Sequence, residues 1–161
     1  MTEIRQLIAS STFSDLDRHF AAFIEEQAGR EQPLAGLAAA LASRQRSEGN
    51  ICLDLTALAG SIFPALPADG VTPIQLPRLK EWTKALKPSP VVGAPGDFKP
   101  LVLDAHHRLY LHRYWEYEQS LATAILKRAA EQSPQPDPSA LSQRLHALFP
   151  PEPSGTINWQ G

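Results

Sequence analysis

The sequence predicts a mostly helical α+β fold that contains a small antiparallel sheet. Helical hydrophobic spacing with capping residues runs through the first fifty positions and returns after Trp115. Between these parts, "NICLDL" alternates as a short strand does, and the stretches "LVLD" and "RLYLHRY" on either side of a polar turn indicate two further strands. With 161 residues, 43% of them hydrophobic, the chain is long enough to bury a core.

Residues 1–30 are predicted to form two helices. Ile4, Leu7 and Ile8 indicate a short first helix. Ser14 is a suitable N-cap for a second helix, because Asp17 follows three residues later, and Gly29 ends it. The residues with helical spacing in this second helix are Leu16, Phe20, Phe23, Ile24 and Gln27.

Pro33 suits the first turn of a third helix, which Gly49 ends. A strand is predicted for "NICLDL", after which Asp54 or Thr56 caps one helical turn. A proline-rich loop then leads to a fourth helix in "LPRLKEWTKALK". The segments "LVLD" and "RLYLHRY" flank "AHH", which indicates a hairpin with a polar turn.

Helix, strand, small helix, helix and hairpin is the element order of a winged-helix unit. We therefore expect a three-stranded antiparallel sheet packed on helices over residues 33 to 114, and a further helix that brings this core to residue 131. Residues 132–155 form a proline-rich segment with a short helix capped by Ser139. Residues 156–161 are too short for a domain, and we expect them to begin a further domain that is absent here.

Composition narrows the class of protein. A formal net charge of −2 and a pI near 6.2 give no overall attraction to nucleic acid or to anionic membranes. The single cysteine, Cys52, cannot form an intramolecular disulfide. Neither a signal peptide nor an apolar run long enough to cross a bilayer is present in the sequence. We expect a cytoplasmic protein with no membrane association.

The common catalytic signatures are absent. The sequence has no phosphate-binding GxxxxGK[ST] loop, and HExxH, GxSxG and EF-hand patterns are also missing. We therefore expect no catalytic residue and no cofactor in this chain. Glu116 and Glu118 lie about 200° apart around a helix and cannot act on one bond as an acid/base pair.

The densest group of metal-ligand residue types is formed by Asp104, His106, His107 and His112. Zinc requires three or four convergent ligands, whereas neighbouring residues of a strand point to opposite faces. We expect a solvated hairpin tip and no metal site.

The aromatic residues after the hairpin have two interpretations. Tyrosine and tryptophan rings can stack on nucleic-acid bases, but aromatics that connect a strand to a helix usually belong to the core. We expect a buried Trp115, with its neighbours turned toward the same core and Glu116 left to solvent. The predicted core residues are Tyr114, Trp115, Tyr117 and Leu121.

The fourth helix carries a group of positive charges, in the position where a DNA-reading winged helix has its recognition helix. Glu81 interrupts the group, and the chain is acidic overall, so a solvated helix face is the favoured interpretation. A winged-helix DNA-binding module is the alternative. The possible DNA contacts are Arg78, Lys80, Lys84 and Lys87.

Three stretches together resemble a known family. "GNICLDLTALAG", "KPLVLDAHHRLYLHRYWEYEQSLATAIL" and "LFPPEPSGTINWQ" occur in the order seen in the N-terminal region of the exodeoxyribonuclease V alpha subunit family, RecD. The resemblance extends from about Pro33 onward. The residue after Gln160 is Gly161, where the family pattern leads us to expect a basic residue.

The resemblance implies a function for a longer parent protein. Such a subunit is an ATP- and magnesium-dependent 5′-to-3′ DNA helicase that acts with RecB-like and RecC-like subunits in double-strand-break repair and recombination. It implies that this N-terminal domain docks on the RecC-like subunit, is not catalytic by itself, and meets DNA through the parent complex. It also implies that Gln160 contacts adenine, in the full-length parent only.

Overall fold

The computed structural model describes residues 2–29, 32–131 and 137–149. These residues form seven helices and six short strands, so the expected mostly helical α+β class is confirmed. The helices are α1 (Thr2–Ala9), α2 (Asp15–Ala28), α3 (Pro33–Ser47), α4 (Leu55–Leu58), α5 (Leu79–Leu86), α6 (His112–Ala130) and α7 (Pro138–Leu148). The strands are β1 (Cys52–Asp54), β2 (Ile62–Phe63), β3 (Ile74–Gln75), β4 (Val92–Gly93), β5 (Leu101–Leu103) and β6 (Arg108–Leu111).

Helix α2 begins and ends as predicted. The Ser14 hydroxyl accepts a hydrogen bond from the Asp17 N–H, and the Asp17 carboxylate accepts one from the Ser14 N–H at 2.9 Å. Gly29, with φ +92°, terminates the helix in the left-handed region that glycine tolerates. This reciprocal capping satisfies two N–H groups that an uncapped helix start would leave without a partner.

The buried side of α2 differs from the side that its large residues suggested. Leu16 and Phe23 are exposed, whereas Ala21 and Ile24 lie in the core. The reason is the close packing of α2 on α3. A Cβ atom added to Gly36 of α3 would lie 3.4 Å from the Ala21 carbonyl oxygen, so only small residues fit between these helices.

Helix α3 is the centre of the fold. It contacts α1, α2, α5, β1 and β6, and nearly every residue from Ala35 to Ser43 is buried. Alanine and leucine occupy most of these positions, which allows neighbouring elements to approach from several directions. The core extends to the sheet through Leu53, Leu101 and Leu109, and to α5 through Trp82, which is fully buried.

The three predicted strands pair as expected, but the sheet is larger and mixed. Antiparallel pairing joins β1 to β6 and β6 to β5, and β4 adds to β5 in parallel, which gives the order β1-β6-β5-β4. Strands β2 and β3 form a separate antiparallel pair. The expectation of one three-stranded antiparallel sheet was therefore wrong. Strands of two residues, such as β4, are too short to show an alternating pattern.

Helix α6 begins at His112, three residues earlier than the sequence suggested. Leu111 still pairs with Leu101 in the ladder, and the His112 N–H then donates to the Pro100 carbonyl at 3.0 Å. Because Pro100 has no N–H to donate to His112, the strand pairing ends there and the helix begins.

The chain divides into two compact units, residues 1–122 and residues 123–161. The first unit contains the core and both sheets. In the second unit, α7 is capped by Asp137, whose carboxylate accepts from the Ser139 N–H at 3.0 Å. Ser139, the predicted cap, is thus inside the helix. The predictions for residues 132–136 and 150–161, including the prediction for Gln160, concern positions outside the described residues.

None of the helices in the described ranges combines the length and the apolar character needed to cross a membrane.

Candidate docking surface on the sixth helix

The start of α6 is held on the sheet by a pair of aromatic rings. Tyr110 of β6 is buried, and Trp115 of α6 packs against it edge to face, with 5.0 Å between ring centroids. Trp115 itself is partly buried. Cys52 lies opposite Tyr110 in the β1–β6 register, and burial raises the pKa of its thiol above the ordinary value. The predicted junction between hairpin and helix is therefore built by Tyr110 and Trp115.

Tyr117 and Leu121, which were predicted to join this core, lie on the surface. Their exposed fractions are 58% and 62%. Trp115 and Tyr117 are two residues apart, which separates them by about 200° around a helix, so both cannot face Tyr110. The prediction was wrong for these two residues, whereas Tyr114 is partly buried and Glu116 is exposed as expected.

One side of α6 carries two tyrosine rings in contact with each other, with a guanidinium group over each ring. The Arg46 guanidinium, from the last turn of α3, lies 4.6 Å from the centroid of the Tyr114 ring. The Tyr114 and Tyr117 rings meet edge to face at 6.1 Å. The Arg113 guanidinium lies 5.9 Å from the Tyr117 centroid. We call Arg46, Arg113, Tyr114, Tyr117 and Leu121 the Arg–Tyr face.

The charge of the Arg–Tyr face is positive. Within the described part of the chain, neither Arg46 nor Arg113 forms an ion pair with a carboxylate. Cation–π contacts with the tyrosines orient both guanidinium groups and leave their hydrogen-bond donors available. Tyr and Arg are enriched among the residues that contribute most to the stability of protein interfaces.

The sequence did not reveal the contribution of Arg46. It belongs to a helix far from α6 in the chain, and only the packing of α3 beneath β6 brings it to Tyr114. Arg113 was assigned to a strand because the start of α6 was placed too late. An Arg in the last turn of a helix also interacts favourably with the helix dipole. Its position in the sequence therefore does not mark Arg46 as part of a surface site.

The four positively charged residues predicted on α5 are all exposed, and they lie on two different sides of the helix. Lys80, Lys84 and Lys87 follow one another at helical spacing and share one face of the helix. Arg78 is the N-cap residue and lies on a different side. Its N–H donates to the Glu81 carboxylate at 3.2 Å.

The histidines near the hairpin do not converge on a metal-binding geometry. Asp104 Oδ1 accepts from the N–H groups of His106 and Arg108, each at 2.9 Å, and Oδ2 accepts from Arg108 Nε at 2.8 Å. His112 lies on α6 beside Phe98. No cluster of three or more metal-ligand residues occurs in the ranges that the structure describes. Asp104 therefore organises the turn.

The electrostatics of Asp104 agree with this role. Burial alone would raise the pKa of its carboxyl, but hydrogen bonds from the Arg108 backbone and guanidinium and from the His106 N–H outweigh burial. The pKa lies below the ordinary value as a result.

Comparison with known proteins identifies relatives of this fold. Residues 9–110 match the family described as "RecBCD enzyme subunit RecD, N-terminal domain". The RecBCD enzyme subunit RecD of Mycolicibacterium smegmatis is 33% identical over 111 residues, which cover 68% of this chain and 18% of that protein. The RecD subunit of Mycobacterium tuberculosis is 28% identical over 134 residues, which cover 83% of this chain and 21% of that protein.

The chain thus spans about a fifth of the length of the curated relatives that it matches. The family match covers α2 to most of β6, and therefore nearly the whole helical core and the antiparallel strands that were described above. On this evidence the chain belongs to the RecD N-terminal domain family.

Proposed function

We propose that this chain is the subunit-docking domain of a RecD-like helicase subunit in a RecBCD-like exodeoxyribonuclease V. Membership of the RecD N-terminal domain family supports this assignment. In the proposal, the domain acts in double-strand-break repair and recombination without catalysing a reaction. ATP and Mg²⁺ are used by other parts of the full-length subunit, which also engage the DNA.

The observation that carries the proposal is the Arg–Tyr face. Tyr117 and Leu121 leave more than half of their surface exposed. Apolar side chains of this size gain about 1.5–3 kcal/mol each when a partner removes them from water. The two guanidinium groups at the edge favour a partner surface with carboxylates around an apolar centre.

The partner in this proposal is the RecC-like subunit, with a RecB-like subunit in the same assembly. The test is a binding titration of the purified chain with its cognate RecC-like subunit, combined with co-elution on a sizing column. We expect the Tyr117→Ser/Leu121→Ser double variant to bind at least about tenfold more weakly. Arg46→Ala should mainly lower the association rate and its dependence on salt.

Leu66→Ser is the matched control, because Leu66 is 93% exposed and belongs to the proline-rich loop, not to the Arg–Tyr face. This variant removes another exposed leucine and should bind like the wild type. Separate elution of the wild-type chain and the RecC-like subunit at micromolar concentration would refute docking. Equal loss of affinity in the Leu66 control would refute the assignment of the face.

A second candidate function is a winged-helix DNA-binding module. The lysines at positions 80, 84 and 87 favour it, because their exposed ammonium groups lie on one helix face. If this face binds duplex DNA, the affinity should fall steeply with salt, and Lys80→Ala/Lys84→Ala should reduce that slope by about one per lost phosphate contact. Absence of binding at low salt would exclude this function.

A further inference from the structure

We propose that a cleft on another side of α6 binds an arginine or lysine side chain, flanked by apolar residues, from a partner polypeptide. The cleft lies between the loop at residues 95–98 and the first turns of α6. Its volume is about 630 Å³. The proposal concerns a second surface, and it holds whether or not the Arg–Tyr face docks a subunit.

The polar side of the cleft is formed by α6. His112, Glu116 and Gln119 follow one another at helical spacing, so their side chains project from the same face of the helix toward the loop. Trp115 and Tyr117 flank this face on either side. A ligand in the cleft therefore meets a carboxylate between two aromatic rings.

Phe98 forms the opposite wall and is unusually exposed for a phenylalanine, at 91%. Its ring meets the His112 imidazole edge to face, with 4.9 Å between centroids. Apart from this edge contact, most of the ring surface remains open to solvent. An aromatic side chain has only two χ angles to restrict, so it loses little conformational entropy on binding and is suited to hold a ligand.

The loop that carries Phe98 is fixed by its own hydrogen bonds. The Asp97 carboxylate accepts from the Ala94 N–H at 2.9 Å, and the Asp97 N–H donates to the Ala94 carbonyl at 3.0 Å. The Lys99 ammonium donates to the Pro90 carbonyl at 2.6 Å. The loop also packs on Gly93, where an added Cβ would lie 2.6 Å from Asp97 Cβ. The backbone on either side of Phe98 is therefore held in a tightly packed turn.

The charge of the cleft specifies its ligand. Two of the residues that line it, Asp97 and Glu116, are acidic, and none is Lys or Arg. The Glu116 side chain is 60% exposed, and its Oε2 lies 3.7 Å from His112 Nδ1. A cation placed among Phe98, Trp115 and Glu116 gains both cation–π attraction and a carboxylate partner. An anionic ligand would meet two carboxylates.

The test uses two blocked pentapeptides, Ala-Leu-Arg-Leu-Ala and its twin with citrulline in place of arginine. Citrulline keeps the size and shape of arginine and removes its charge. Binding to the whole chain is followed by NMR, through the indole N–H signal of Trp115. We expect a saturable shift with the arginine peptide and about fivefold weaker binding of the twin.

Two variants distinguish the proposed contacts. Glu116→Gln should lower the affinity for the arginine peptide to about that for the twin. Phe98→Ala removes an exposed ring that the core does not need, and it should weaken binding of both peptides. Asp69→Asn, which removes an exposed carboxylate in the proline-rich loop, is the control and should bind both peptides like the wild type.

Each remaining outcome overturns the proposal. It fails if the two peptides bind equally, if Glu116→Gln leaves the preference for arginine unchanged, or if the Trp115 signal does not move with either peptide up to about 10 mM, a concentration that would detect even millimolar affinity. The cleft shares Tyr117 with the Arg–Tyr face, whereas Leu121 and Arg46 of that face do not line it. Docking is measured separately, with the RecC-like subunit, so failure of the peptide test does not decide it.

Discussion

The hairpin turn at Asp104 offers a direct measure of how one side chain stabilises this fold. Asp104→Ala removes the acceptor for two backbone N–H groups, those of His106 and Arg108, and for the Arg108 guanidinium. Hydrogen bonds to a charged acceptor contribute about 1.5 kcal/mol or more each. The ion pair with Arg108 adds little to this, because the Arg108 side chain is exposed and solvent screens the pair.

The expected loss for Asp104→Ala is therefore about 3 kcal/mol in the free energy of unfolding. For a chain of this length such a loss lowers the midpoint of thermal unfolding by about 6–12 °C. Asp104→Asn retains one oxygen for the backbone donors and loses only the charge and the Arg108 contact. It should cost about 1 kcal/mol.

The effect should depend on pH with a defined sign. The folded-state pKa of Asp104 lies below its ordinary value of 3.8, so the folded state binds this proton more weakly than the unfolded state. The stabilisation is fully present above the ordinary pKa and disappears as pH falls through the lowered, folded-state pKa. Urea titrations of wild type and Asp104→Asn should show a constant difference near neutral pH that narrows below about pH 4.

Two results would refute this reasoning. The first is an unchanged midpoint for Asp104→Ala, which would mean that the turn forms without its acceptor. The second is a difference between wild type and Asp104→Asn that stays constant down to the acid limit of the folded state.

Three further predictions concern other parts of the fold. Trp82→Ala should lower the free energy of unfolding by about 3–5 kcal/mol, because the indole is fully buried. Trp115→Ala should lower it by less, because this indole is only partly buried, and urea unfolding of both variants measures the difference. His107 has φ +62°, a conformation that Asn tolerates and a β-branched residue does not. In thermal melts, His107→Val should therefore lower stability by about 1–2 kcal/mol, and His107→Asn should leave it unchanged. Gly93→Ala should lower the free energy of unfolding by about 1–3 kcal/mol and displace Asp97. Changes in the NMR chemical shifts of the loop would report the displacement.

Local features of the fold were accessible from the sequence because they depend on neighbouring residues. The Ser14–Asp17 capping box joins groups within one helical turn, and the start and end of α2 agree with the prediction. The alternation in β1 follows the burial of Leu53 between less buried neighbours, whereas all three residues of β5 are buried. The predicted antiparallel pairing of β1, β5 and β6 agrees with the structure. The resemblance to the RecD family, drawn from short stretches, is confirmed by the family match.

The hairpin turn shows the limit of such local reasoning. Sequence patterns placed it correctly between "LVLD" and "RLYL", but a three-residue loop usually has glycine at its left-handed position. Here His107 adopts that conformation. Its N–H bonds to the Asp104 carbonyl and its own carbonyl accepts from the Leu55 N–H, a contact with α4 that no local pattern contains.

What the sequence by itself determined is therefore the set of main helices and strands, the mostly helical class and the family. Only the tertiary structure decided which helix sides are buried, that β4 joins the sheet in parallel, and that Arg46 meets Tyr114. Hydrophobic spacing describes a stripe on a helix, but the free energy of burial depends on which neighbouring element covers that stripe. In α6, Trp115 packs against Tyr110, whereas the stripe that contains Tyr117 and Leu121 lies on another side of the helix and remains exposed.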